Sequence, residues 1–566
     1  MKNLMEFMKF IKGRSWLWPV TLLCIFGALT IFSNSILFGS GMIYGEDLRF
    51  HLARIQGLTD NIKSGVWYPY INMHFMNGFG YAVDTFYSNT FLYIASLFQV
   101  FVKDNLLLAY RFLILVLTFM TLVLTYLSVM AMTQKRDISF FASVIYTLSS
   151  YHFIDTYNRG ALGETIAFAF VPVVLASFYL MVYKQKNVWY WFVMGMCALV
   201  MAHVVTTMMM VTVLFGLLLV SFPAWKNNLK MLLWLVLSTV LVGGLTLYIT
   251  LPLVEQMQAQ PLVAQYAPVF KVSNTGLDIG NSFIHAINND DARSGEVNAK
   301  VNIGLLLLLI PFLRMLLFEK KWIQGDYFTI IGFVLLFVSS KIFPWNLFDE
   351  TPLNAVQFPW RYLVFVTLFL AIGSSMYVHE MIVRYNKRAF ISALFIGTVL
   401  LLNMNLIYQA SFENRKPSAE AFLKDSKFLG AGREYLPTGV NIDDIQPDSG
   451  PLHVNESIKY DNFKKDGNHI SFTYANSDRG EIAMPIIYYK GYVAQVAENG
   501  KMYQIPVYAG STNLATLELP KGTGTVTFQY QETSIQKWSK LVSGVFLFIM
   551  LGLLFFYHKK KKVELS

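Results

Sequence analysis

Apolar residues along most of this chain come in unbroken runs with lysines and arginines at their ends, where a soluble fold would alternate them with polar positions. A helix needs about 20 such residues to cross about 30 Å of hydrocarbon. Runs of this kind predict spans near residues 16–38, 105–131, 138–153, 164–183, 188–204, 205–222, 231–250, 301–318, 326–343, 360–380, 389–408 and 539–557. That is about twelve crossings, with 188–222 also readable as one long span. Residues 86–102 are apolar too, but a further crossing would leave the two termini on opposite sides, so a re-entrant or interfacial helix is expected there.

The pattern changes over residues 409–538. Apolar runs shorten, turn residues rise, and alternating pieces such as Ile470-Ser471-Phe472-Thr473-Tyr474 and Thr525-Val526-Thr527-Phe528-Gln529-Tyr530 predict strands. The expected architecture is a polytopic α-helical membrane protein with an extracytoplasmic β-rich domain, such as a sandwich, before its last helix. Its expected divisions are a transmembrane bundle with outer loops over 1–408, the β-rich domain over 409–538, and a final helix with a basic tail over 539–566.

Composition agrees: 55% of residues are hydrophobic, 16% aromatic and 14% charged, with mean hydropathy +0.45. The net charge of +10 does not imply nucleic acid, because the basic residues sit at span ends, as membrane orientation requires. Lys2, Lys9, Lys12, Arg14, Lys135, Arg136, Lys184, Lys186, Lys226, Lys230, Lys320, Lys321, Arg384, Lys387, Arg388 and Lys559 to Lys562 are expected in the cytoplasm, with both termini inside. The first run is too long for a signal segment and is expected to stay as an anchor. Cys24 and Cys197 lie inside apolar runs, which excludes a disulfide framework and a thiolate metal site.

The outer face then carries residues 39–104, 151–163, 252–300, 344–359 and 409–538. If helical, Asp47, His51 and Arg54 fall at i, i+4 and i+7 and form one polar stripe at the membrane surface. Asp47 is either a solvated loop carboxylate or a base partly desolvated by Tyr44 and Phe50, with His51 or Arg54 orienting it. Asp47 and His51 lack a third ligand for a metal. Asp155, Arg159 and Glu164 flank Gly160 and Gly163, which suits a helix-ending turn with an internal ion pair, a phosphate held by Arg159, or both. His203 is a core histidine or part of a cavity. Pro359 and Trp360 suit a helix start and an aromatic belt, leaving Arg361 as a candidate anion ligand. The stretch from His285 to Asp291 is expected to be a turn.

Several stretches together resemble YfhO-like membrane proteins, including a group labelled 6-pyruvoyl-tetrahydropterin synthase-related. They are Asp47-Leu48-Arg49-Phe50-His51-Leu52-Ala53-Arg54-Ile55, Gly65-Val66-Trp67-Tyr68-Pro69, Asn77-Gly78-Phe79-Gly80-Tyr81, Phe86-Tyr87, Phe91-Leu92-Tyr93, Arg159 to Glu164, Gln357 to Arg361, and Pro485 to Tyr492. The family is similar to C-type (GT-C) glycosyltransferases. The resemblance implies a polyprenyl-phosphate sugar donor, a cell-surface glycopolymer acceptor such as teichoic acid, and an active site on the extracytoplasmic face. It implies no cofactor. It makes Asp47 the base, with His51 a candidate beside it, and gives Arg159, Arg361 and His203 or His51 the leaving phosphate, with Arg54, Asp155 and Glu164 in the same site. Tyr488, Tyr489 and Tyr492 are candidates for stacking on sugars, although core packing suits them as well. The resemblance further implies a donor-synthesising glycosyltransferase and a flippase as partners. A transporter of lipid-linked saccharides and a non-catalytic wall-assembly scaffold remain as alternatives.

Overall fold

The computed structural model describes residues 17–43, 45–266, 270–287, 301–318, 321–411, 415–416, 418, 420–423 and 433–565. Tyr44, Lys2, Lys9, Lys12, Arg14, Lys320 and the Asn288 to Asp291 part of the expected turn lie outside these residues. The chain divides into two compact units. The first comprises Met1–Leu48, Leu107–Ser238 and Phe270–Ala419, and the second Arg49–Leu106, Thr239–Val269 and Glu420–Ser566. The outer segment from Arg49 to Leu106 groups with the β-rich segment.

Among the described residues, six helices are long and apolar enough to cross a bilayer: Leu106–Thr133, Leu162–Val182, Leu229–Ala259, Pro359–Tyr385, Arg388–Ala410 and Ser534–Tyr557. The protein is thus helical and membrane-type, but the twelve expected crossings are not twelve long helices. Leu17–Ser33, Trp189–Ala202, Val204–Val220 and Gln324–Ser339 are apolar but shorter. The run 138–153 yields the 12-residue helix Arg136–Thr147. The run 301–318 breaks into Leu305–Leu308 and Ile310–Met315. Pro311, without an N–H, stands in the first turn of the second piece, where no N–H partner is needed. The run 188–222 breaks at His203, whose backbone is extended.

In the first unit Leu162–Val182 and Pro359–Tyr385 are central, with 89% and 94% of their apolar windows buried, against 22% for Arg388–Ala410. Helices Gln324–Ser339 and Leu363–Tyr385 approach closely through small residues. A Cβ on Gly332 would stand 2.5 Å from Leu370 Cδ2, and one on Gly373 2.4 Å from Thr329 Oγ1. Apolar area alone does not drive helices together in lipid, so packing of this kind is what joins them.

The second unit is built on two antiparallel sheets. Its strands are β1 (Ile458–Asp466), β2 (His469–Asn476), β3 (Gly480–Ile487), β4 (Tyr492–Glu498), β5 (Lys501–Ile505), β6 (Val507–Ala509), β7 (Leu514–Leu519) and β8 (Gly522–Tyr530). One sheet has the order β1-β2-β8-β4-β5 and the other β3-β7-β6. Both predicted strands are present and paired, with Ile470 opposite Phe528 and Phe472 opposite Val526. Alternate residues Ile470, Phe472 and Tyr474 point inward with Val526 and Phe528 to meet Ile482, Met484, Leu517 and Leu519 of the other sheet in one core. Phe75, Met76, Phe79, Tyr81 and Phe86 of the first outer loop join this core, and Ile487 N–H donates to Phe79 O at 2.9 Å. Tyr489 and Tyr492 are core residues. Tyr489 OH donates to Tyr435 O at 2.9 Å, and Tyr492 stacks on Phe528, so neither presents a face to a sugar.

Candidate functional site

Within the first unit, Ser149 caps the helical turn Ser150–Phe153 by accepting from His152 N–H at 3.3 Å. The turn widens into the π-helical segment Ile154–Arg159 and ends at Gly160, which takes φ +65°. Such widened turns recur at functional sites. Asp155 and Arg159 stand one turn apart there, and Glu164 follows in the first turn of Leu162–Val182.

Glu164 is the hub. Its Oε2 accepts from Arg159 Nη1 at 2.9 Å and from Tyr151 OH at 3.2 Å, and its Oε1 accepts from Arg159 Nη2 at 3.2 Å. Arg361 Nε lies 2.7 Å from the same Oε1. Arg159 also pairs with Asp155. Arg361 arrives on the short turn Pro359–Tyr362 and donates through Nη1 to Val356 O at 2.8 Å. The guanidinium of Arg159 lies 4.4 Å from the ring centre of Trp360, and that of Arg361 4.9 Å from Phe358. Trp360 is fully buried, so it is an arginine platform rather than part of an aromatic belt. Gln357 holds φ +60°, strained for a residue with a side chain, and its Oε1 accepts from Arg361 at 3.3 Å. Two arginines and two carboxylates are thus buried in mutual pairs. The helix-ending turn with an internal ion pair is present.

The segment carrying Asp47 is tied to this turn by its backbone. Glu46 N–H donates to Asn158 O at 3.3 Å, and Asp47 N–H donates to Arg159 O at 2.7 Å. The approach depends on missing side chains. A Cβ on Gly45 would stand 3.0 Å from Gly160 N, and one on Gly160 2.9 Å from Leu48 Cβ. Asp47 is exposed. It precedes the helix Leu48–Lys63, so Asp47, His51 and Arg54 do not form the expected helical stripe. Asp47 ends in the first unit, and His51 and Arg54 are buried in the second.

His203 stands between helices Trp189–Ala202 and Val204–Val220. Its Nδ1 accepts from Thr206 N–H at 3.3 Å and bonds Thr206 Oγ1 at 2.8 Å, capping the second helix. It lies within electrostatic range of Glu164, Arg361 and Arg159.

Arg54 belongs to a separate cluster in the second unit. Its Nη2 donates to Tyr87 O at 2.5 Å, Ser88 O at 3.1 Å and Asn89 Oδ1 at 2.8 Å, and its guanidinium lies 4.3 Å from the Tyr87 ring centre. Asp84 Oδ1 lies 3.9 Å from Arg54 Nε, and Asp84 Oδ2 accepts from Asn72 Nδ2 at 3.2 Å. Burial pushes the Asp84 carboxyl up to about 6, against the pull of Arg54. Burial also lowers Arg54 from the ordinary arginine value, with Asp84 opposing. The His51 ring meets Tyr87 edge-on at 5.7 Å.

Sequence reasoning missed Asp84, Asn72, Asn89, Tyr151 and the platform role of Trp360. The Phe-Pro-Trp-Arg order was the one signal that pointed to the last of these. Among the described residues, no group of three His, Cys, Asp or Glu side chains is arranged to hold a metal ion.

No protein-family model matches the chain. An uncharacterized protein of Lactococcus lactis subsp. cremoris (strain MG1363) is 22% identical over 585 residues, covering 91% of this chain and 92% of that one. Among solved structures, the archaeal oligosaccharyltransferase AglB from Archaeoglobus fulgidus, in complex with an inhibitory peptide and a dolichol-phosphate, is similar over 75% of this chain. The TM-score is 0.40 and the identity 10%. The arabinofuranosyltransferase AftD from Mycobacteria is similar over 70% of this chain, with TM-score 0.40 and 13% identity. The chain spans about six tenths of AglB, 61%, and 27% of AftD. At these scores and identities the functional reading rests on the residues of this chain.

Proposed function

We propose that the protein is a membrane glycosyltransferase that moves a sugar from a polyprenyl-phosphate donor to a cell-surface acceptor such as a wall polymer, on the extracytoplasmic face. The observation that carries this is the backbone tether of Glu46 and Asp47 to the Asn158–Arg159 turn: an exposed aspartate is bonded through its N–H to the residue whose side chain enters the buried arginine–carboxylate network. The resemblance to YfhO-like and GT-C proteins points to the same aspartate. The acceptor oxygen attacks the anomeric carbon, its proton passes to Asp47, and the bond from carbon to phosphate oxygen breaks to release polyprenyl phosphate. Asp155 and Glu164 already match Arg159 and Arg361, so these arginines reach the leaving phosphate by exchanging a carboxylate oxygen for a phosphate oxygen. His203 holds the neighbouring helix start. His51 and Arg54 support the second unit, where Asp84 is Arg54's counter-ion.

The test uses proteoliposomes made with lipid extracted from a deletion strain, which retains unspent donor, and surface polymer from the same strain. Wild-type protein is expected to attach sugar covalently to the polymer, and Asp47→Asn to fail. The break at His203 favours a second reading, transport of a lipid-linked saccharide, since interrupted helices mark transport sites. Movement of donor across the bilayer without a covalent product would select it.

A further inference from the structure

The helix Leu92–Phe101 in the second unit is inside out. Its polar residues Ser96 and Gln99 are both 0% exposed. Ser96 Oγ donates to Ile55 O at 3.1 Å. Gln99 accepts from Thr59 Oγ1 at 2.9 Å and donates to Gln56 Oε1 at 2.8 Å. The opposite face carries only apolar and aromatic side chains: Tyr93, Ile94, Leu97, Phe98, Val100 and Phe101, the last 84% exposed. A helix facing water has the reverse arrangement, with its apolar stripe inward.

The edges of this face are marked. Just past Phe101, Lys103 and Asp104 are exposed, and Asp104 pairs with Lys63. At the other end Tyr93 OH bonds Trp67 O, and Trp67 and Tyr68 are themselves exposed. Tyr68 packs against Tyr248 of the helix Leu229–Ala259 and under the ammonium of Lys540, which lies near the start of Ser534–Tyr557. Through Trp67 and Tyr68 the apolar face thus reaches the helix segments that carry Tyr248 and Lys540, both in the same unit. Ten residues give about 15 Å of helix, half of a hydrocarbon core, so the element stays within one leaflet.

We propose that Leu92–Phe101 is a membrane wedge, with Leu97, Val100 and Phe101 in the acyl region and Trp67 and Tyr68 at headgroup level. It holds the second unit against the lipid surface independently of the helix segments that carry Tyr248 and Lys540. Buried Ser96 and Gln99 fasten it to the helix Leu48–Lys63. Aromatic rings at headgroup level and large apolar residues below them match the layering of an interfacial anchor.

The test places a nitroxide at Phe101→Cys, and separately at Leu97→Cys, in the full chain with Cys24 and Cys197 replaced by alanine. A third label at Asp478→Cys, exposed between β2 and β3, is the aqueous reference. In nanodiscs the labels at 101 and 97 are expected to collide with oxygen several-fold more, and with a water-soluble nickel chelate several-fold less, than the label at 478. Nickel accessibility equal to that at 478 would place the helix in water and overturn the proposal. Shielding from both reagents would also overturn it, since a protein surface would then cover the face.

Discussion

Removing the charge of Glu164 is expected to destabilise the first unit more than any other single change at the site. One carboxylate there faces two guanidiniums, with contacts between 2.7 and 3.2 Å. Each charge pair, about 4 Å between centres, is worth about 4 kcal/mol at an effective dielectric of about 20, so two pairs set a ceiling of about 8 kcal/mol. Glu164→Gln keeps the volume and one acceptor but leaves Arg361 without the carboxylate it faces and Arg159 with Asp155. Breaking a buried pair in this way costs about 3–5 kcal/mol after relaxation. The assay is reversible unfolding in mixed micelles followed by tryptophan fluorescence. Glu164→Gln/Arg361→Gln removes the orphaned charge and is expected to recover at least half of the loss, a coupling that marks direct contact. A loss within about 0.5 kcal/mol for the single variant, the size of an ordinary surface change, would refute the account of the network as buried and mutually paired.

Gly160→Ala imposes a left-handed residue with a Cβ against Leu48, costing about 1 kcal/mol from the backbone alone; transfer is expected to fall far more than global stability, read by paired activity and unfolding measurements. His203→Ala removes the cap on Val204–Val220 and is expected to cost about 1 kcal/mol, with His203→Asn restoring most of it, because asparagine also accepts from the helix N–H groups. For Asp84 the folded carboxyl holds its proton up to about 6 against an ordinary 3.8, so the folded state is favoured below about pH 4 and loses that advantage as pH rises through 6. The gap is worth roughly 3 kcal/mol. Hydrogen exchange in β2 should show wild type losing protection relative to Asp84→Asn over that window, and parallel pH profiles would contradict the shift.

The membrane class was legible because apolar runs with basic ends have one physical explanation in lipid, and the strands Ile470–Tyr474 and Thr525–Tyr530 because a two-residue period leaves little choice. The number of crossings was less legible. The breaks at Leu309 and His203 divide runs that look continuous by hydropathy, since backbone geometry at one residue outweighs the composition around it. At the site, Asp155, Arg159 and Glu164 were found as a local cluster, and Arg361 by its charge beside a span. The structure adds that Arg361 joins the same carboxylate from nearly two hundred residues away, a pairing no local pattern encodes. Arg54 went to a different cluster because its partner, Asp84, sits in an otherwise apolar stretch that reads as core. The stripe of Asp47, His51 and Arg54 did not form because the helix starts one residue late, at Leu48, with Asp47 held instead by Arg159 O.

The most direct test of Asp47 as the base is mass spectrometry of cell-surface polymers from a deletion strain, complemented at matched expression with wild type or with Asp47→Asn. Because Asp47 is exposed, the variant is expected to fold and reach the membrane normally. A sugar missing from the deletion strain, restored by wild type and absent with Asp47→Asn, is the predicted result. Equal restoration by both proteins would contradict it.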